Sequence, residues 1–78
     1  MKTIYKIDTI IKDMLESTLD YTNLFKQLDC IDLIAVQNKK DVQLRVVTYA
    51  STLEEAVNNT VHTLQRVYDD KNITYASR

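Results

Sequence analysis

Not one glycine or proline occurs in the 78 residues of this chain. Glycine is the residue that takes positive φ without steric cost, and proline presets the bends of many loops. Every tight turn must therefore be built from Asn, Asp or Lys. The same absence rules out Gly-dependent phosphate and cation loops, so no dinucleotide fingerprint, P-loop or EF-hand loop can be present.

The clearest single element is Ser51–Asp70. Ser51 with Glu54, or Thr52 with Glu55, fits a capping box, and both carboxylates sit at the positive end of the helix dipole. Leu53, Val57, Thr60, Val61, Leu64, Val67 and Tyr68 follow at three- and four-residue steps, with Ala56 at the edge of the stripe. Asn72 is the natural left-handed cap after the helix. Met1–Lys6 reads two ways: Thr3–Ile7 has strand propensity, and the same stretch could equally be the first turn of a long helix. From Ile7 to Leu28 a second helical pattern runs through Ile10, Ile11, Met14, Leu15, Thr18, Tyr21, Thr22 and Phe25. A capping signal at Ser17–Asp20 marks a place where it can break in two. Leu19 and Leu24 fall off the stripe on opposite flanks and widen the apolar area.

Between the two helical stretches, Ile31–Gln37 and Val42–Tyr49 read as a β-hairpin turning at Asn38–Asp41. Val42, Leu44, Val46 and Thr48 point one way, and Gln43, Arg45, Val47 and Tyr49 the other. A lone hairpin is marginal, so a further strand is expected from residues 1–6 or 73–75, or from another chain. The tail Ala76–Arg78 is expected to be loose. The fold predicted is a single α+β domain over residues 1–78, long helix, antiparallel hairpin and helix, with a short extra strand at either terminus. Both helices pack on one face of the sheet.

A chain this short forms a small core, and its single cysteine allows no internal disulfide. Association is the remaining common support, and a homodimer is expected. With a net charge of −1, no broad attraction to nucleic acid or to an anionic membrane is expected. No apolar run approaches a membrane span and no secretory signal opens the chain, which predicts a cytoplasmic protein. The bias toward residues with AT-rich codons, 27 against 7 with GC-rich ones, suggests a low-GC bacterium, its phages or a mobile element.

No residue pattern announces chemistry, and no cofactor, metal site or catalytic group is predicted. His62 is the only histidine and falls opposite the apolar stripe. Cys30 has Asp29 and Asp32 as neighbours, which disfavour a thiolate. Asp13, Glu16 and Asp20 would line the outer side of the first helix. Leu19, Leu24, Val47 and Tyr49 are the surplus apolar residues and form the predicted interaction surface. Lys39, Lys40 and Arg45 make a small basic spot that could touch phosphate.

Thr48–Asn59 (TYASTLEEAVNN) is similar to the strand-to-helix step of small antitoxins of the HicB type. The likeness covers 12 of the 78 residues. The proline- and glycine-bearing loop that usually precedes that run in the family is missing here, and a helical stretch stands where the family has a leading strand. The function expected is a non-enzymatic regulator or inhibitor that docks on a larger protein. The alternatives are a nucleic-acid-associated, antitoxin-like regulator and a small-ligand-binding dimer with Tyr21, Tyr49 and Tyr68 about its pocket.

Overall fold

A computed structural model describes residues 1–76; Ser77 and Arg78, part of the tail expected to be loose, lie outside the described residues. Four strands and two helices follow one another as β1 (Thr3–Ile11), α1 (Tyr21–Leu28), β2 (Asp32–Asn38), β3 (Asp41–Ala50), α2 (Leu53–Val67) and β4 (Ile73–Tyr75). The sheet order is β2-β3-β1-β4, with every neighbouring pair antiparallel. This is the split β-α-β-β-α-β arrangement, in which β1 and β2 run parallel on either side of β3. The α+β class holds, as do the hairpin and the helix that follows it.

The first helix is shorter than its pattern suggested. Ile7–Ile11 is not its opening turn but the second half of β1, which pairs along its whole length with β3. Ile7, Thr9 and Ile11 face inward with no exposed surface, whereas Ile10 points the opposite way. Three β-branched inward residues at two-residue spacing suit a central strand. The spacing misleads because positions 7 and 11, four apart, satisfy both periods, and both are buried. Both termini supply strands, β1 and β4.

The break near Ser17 is real. A single 3₁₀ turn covers Glu16–Thr18, and the Asp20 carboxylate accepts the Asn23 N–H at 3.1 Å to cap α1. Asp13, Glu16 and Asp20 therefore sit in a turn, a 3₁₀ turn and a cap, and form no helical ridge. Leu19 and Leu24 are core residues, 8% and 0% exposed, and not part of an interaction surface. In a helix of only eight residues, Leu24 and Leu28 face the sheet while Tyr21 and Phe25 stand exposed.

In α2, Thr52 is the cap residue, its hydroxyl accepting the Glu55 N–H at 3.1 Å. Glu55 reaches back to the Ser51 N–H at 3.5 Å, a long version of the capping box. Ala56, Thr60 and Leu64 form the buried line, so Ala56 is central and Leu53 is half exposed. α2 ends at Tyr68 with φ −119°, and no left-handed cap forms at Asn72.

One core joins both helices to one side of the sheet, with Leu24, Leu33, Val46 and Leu64 in the same cluster. A smaller cluster of Ile7, Ala50 and Ala56, flanked by Tyr5 and Val57, sits at the other end. The buried Thr9 hydroxyl donates to the Leu44 carbonyl at 3.0 Å, so its polarity is satisfied within the core.

Three residues take positive φ in place of glycine: Asp13 at 53°, Asp29 at 51° and Lys39 at 58°. Asp is among the residues that tolerate this region, and Lys is not. Lys39 lies in the two-residue turn between Asn38 and Asp41. Replacing it with glycine (K39G) is expected to stabilise the fold by about 0.5–1 kcal/mol, and K40G to give no such gain. Urea midpoints of the two variants check this; equal midpoints would remove the strain at Lys39.

Candidate functional site

Helices cover one face of the sheet and leave the other open. Reading across the open face, Val36 and Ile10 flank Gln43, Ile34 and Asp8 flank Arg45, Asp32 and Lys6 flank Val47, and Ile4 lies beside Tyr49. Ile4, Ile34, Val36 and Tyr49 are about half exposed, at 47–56%. Val47 and Ile10 are half-buried among them. A shallow depression of about 250 Å³ lies between Ile34, Val36, Gln43 and the Asp8–Arg45 pair.

That pair holds the centre of the face. Arg45 Nε donates to Asp8 Oδ1 at 2.7 Å, and Nη2 donates to Oδ2 at 3.2 Å. This is the forked arrangement that fits a planar guanidinium to a carboxylate. The hydrogen bond and charge of Asp8 push the Arg45 guanidinium further up from its ordinary value. The charge in the middle of an apolar face is thus neutralised in place.

Of the residues read from the sequence as an interaction surface, Val47 and Tyr49 lie here. Leu19 and Leu24 do not, being in the core. Ile4, Ile34 and Val36 complete the patch and were not singled out. Ile4 carried a signal in the strand propensity of residues 3–7. In β2, aliphatic residues fall on both alternating sets, so its outward face could not be chosen from sequence.

The basic spot does not assemble. Lys39 and Lys40 occupy the hairpin tip, whereas Arg45 is committed to Asp8 four strand residues beyond Asp41, roughly 13 Å along β3. The Lys40 carbonyl accepts the Met14 N–H at 2.8 Å, and Gln37 Nε2 lies 3.0 Å from the carbonyls of Met14, Lys39 and Asp41. The tip is therefore a structural junction. Three tyrosines do not converge on one pocket either. Tyr49 is on the open face, while Tyr68 packs half-buried against the core beside Asp20, and burial pushes its hydroxyl up.

A separate cleft of about 510 Å³ opens at the end of the sheet where α1 stops and α2 begins, lined in part by Lys2, Asp29, Cys30, Glu55 and Asn59. Cys30 is half-buried against the core. Burial first, then Asp32 and Asp29, push its thiol above the ordinary 9.0, and a hydrogen bond to backbone partly offsets them. His62 is exposed on α2. Among the described residues no group of His, Cys, Asp and Glu is arranged to hold a metal ion, and no helix is long and apolar enough to cross a membrane.

Compared with protein-family models, with curated proteins and with solved structures, the chain matches none. The stretch similar to HicB-type antitoxins, Thr48–Asn59, forms the end of β3 and the first half of α2, and its Thr52–Glu55 pair is the helix cap.

The partition between core and open face predicts opposite responses to truncation. Leu24→Ala is expected to cost about 2–5 kcal/mol, and Tyr49→Ala to stay within about 0.5 kcal/mol, both read from urea unfolding. A mild L24A would move that residue back to the surface. For Cys30 the sign follows from its raised value. The neutral thiol is favoured in the folded state, so its contribution is full below pH 9.0 and falls as the pH rises through the folded value. Thiol labelling at about pH 8 is expected to be several-fold slower in the native chain than in urea; equal rates would refute the sheltered thiol.

Proposed function

We propose that this chain is a non-enzymatic protein-binding module, a small regulator or inhibitor that docks on a larger protein through the open face of its sheet. The observation that carries this reading is the patch of Ile4, Ile34, Val36 and Tyr49 around the Asp8–Arg45 pair, on a face no helix covers.

Three physical features support it. Exposed apolar side chains gathered on one surface gain free energy when a partner removes them from water. Tyr49 supplies a large amphipathic side chain with few rotors, the kind that dominates binding energy at protein interfaces. All four project from paired strands, so little backbone ordering remains to be done on binding. The Asp8–Arg45 pair would enter the interface already neutralised, which lessens the desolvation penalty of a lone charge.

The test is affinity capture with the intact chain from an extract of the cells that encode it, with parallel baits. Val36→Asp and Tyr49→Asp should each lose the captured partner by roughly tenfold or more. His62→Asp, on the outer side of α2, should retain it. Capture that is equal for all baits, or lost only with H62D, would move the interface off the sheet.

A further inference from the structure

The sheet is incomplete along one side. β1 has nine residues, but β4 pairs only with Thr9, Ile10 and Ile11. The Ala76 N–H donates to the Asp8 carbonyl and the Lys12 N–H to the Asn72 carbonyl. Those bonds fix the parity of the strand: even-numbered residues of β1 direct their backbone groups toward β4, and odd-numbered ones toward β3. Ile4 and Lys6 therefore direct an N–H and a C=O each onto the edge beyond β4. Neither makes a backbone hydrogen bond on that side among the described residues.

We propose that this edge is filled by the same segment of a second copy, the two β1 strands pairing antiparallel about a two-fold axis at Tyr5. The pairing goes beyond the docking reading, since it uses the edge of the sheet and not its open face. It joins two four-stranded sheets into one of eight.

The register follows from the side chains and the parity. With Tyr5 opposite Tyr5, Ile4 of each copy faces Lys6 of the other. These are the residues whose backbone groups point outward, so both pairs are of the hydrogen-bonded type and four new backbone bonds form. Sliding the register until Lys6 faced Lys6 would oppose like charges across the ladder, which is destabilising. The Tyr5 pair falls on the helix-covered side. There each Tyr5 already packs with Ile7, Ala50, Ala56 and Val57 in the smaller core cluster. Two such clusters meet across the axis and become one. Among the described residues, Thr3–Ile7 is both the unpaired stretch of edge and the stretch that fills it, so β4 bounds the pairing at both ends. At −1 per chain, no strong long-range repulsion opposes association.

Five residues a side is a small contact, at the low end of interface sizes, so the dimer is in concentration-dependent exchange with single chains. Light scattering on the whole chain should give a mass that rises with concentration from 9.1 kDa toward twice that value. Lys6→Pro removes an N–H that makes no bond among the described residues, a position where an edge strand accepts proline, and should hold the mass at one chain. Val36→Asp, on the open face, should leave the dimer intact. Cysteine pairing reads the register itself in a Cys30→Ala background with glutathione disulfide as oxidant. Across the axis, the Tyr5→Cys positions lie about 4.5 Å apart between Cα atoms, within disulfide reach, and the Lys6→Cys positions about 9 Å, beyond it. Y5C should therefore cross-link about tenfold faster or more. A single-chain mass up to ~1 mM, a dimer that K6P leaves unchanged, or equal cross-linking of Y5C and K6C would each overturn the proposal.

Discussion

The ladder between β1 and β3 is the constraint on which the rest of this structure depends. Nine consecutive pairs, from Thr3–Ala50 to Ile11–Val42, join segments about 40 residues apart in the chain. Its register places Ile7 against Val46, Thr9 against Leu44 and Ile11 against Val42, all on the helix-covered face. A slip of β1 by one residue would turn Ile7, Thr9 and Ile11 to solvent and bring Lys6 and Asp8 into the core, so the register is strongly specified. The same register sets Asp8 beside Arg45 on the open face. β2 and β4 are then added to the outer sides of this central pair, and the helices close over the face it presents.

A chain without glycine still needs backbone in the left-handed region, and it uses Asp13, Asp29 and Lys39 there. Each marks a change of direction, after β1, after α1 and within the hairpin. The surrounding hydrogen bonds hold these bends. Asp41 accepts the Asp13 N–H at 3.1 Å, Lys71 donates to the Asp13 carbonyl at 2.7 Å, and Gln37 ties the hairpin to the segment ahead of α1. The Gln37 side-chain oxygen also takes the Glu16 N–H at 2.7 Å. The end of the sheet opposite the cleft is thereby closed by polar side chains working on backbone groups, so the conformational freedom that glycine would supply is replaced by specific contacts.

Two unoccupied features remain, and they differ in kind. On the open face it is side chains that are exposed, so recognition there would rest on apolar contact around a neutralised charge pair. Along the edge beside Thr3–Ile7, backbone groups are exposed, and recognition there would rest on hydrogen bonds whose spacing any extended strand can match. The β2 edge is treated differently. The Asp32 carboxylate takes the Leu33 N–H at 2.9 Å, and the 3₁₀ turn lies against that strand. Among the described residues, one edge is thus partly occupied by its own chain and the Thr3–Ile7 edge is not, a difference that bears on where a second strand can add.

The hairpin, the inward and outward sets of β3, and the capped α2 were legible in the sequence because each is local. Alternation at two residues, a Thr-to-Glu cap and a stripe at helical spacing do not depend on what lies far along the chain. The α+β class followed from them, as did the need to turn without glycine. The second half of β1 was not legible, because Ile7 and Ile11 satisfy helical and strand spacing alike and only pairing with β3 decides between them. Leu19 and Leu24 looked surplus because they were measured against a helix that ends up about four turns shorter; with α1 confined to Tyr21–Leu28 they fall inward. Lys39, Lys40 and Arg45 looked like one basic spot because sequence distance ignores that Arg45 lies mid-strand beside Asp8. The share of the open face that β2 supplies was decided by tertiary structure alone. Which of two aliphatic sets on β2 meets water depends on which side of the sheet the helices take, and that choice is made by contacts between distant residues.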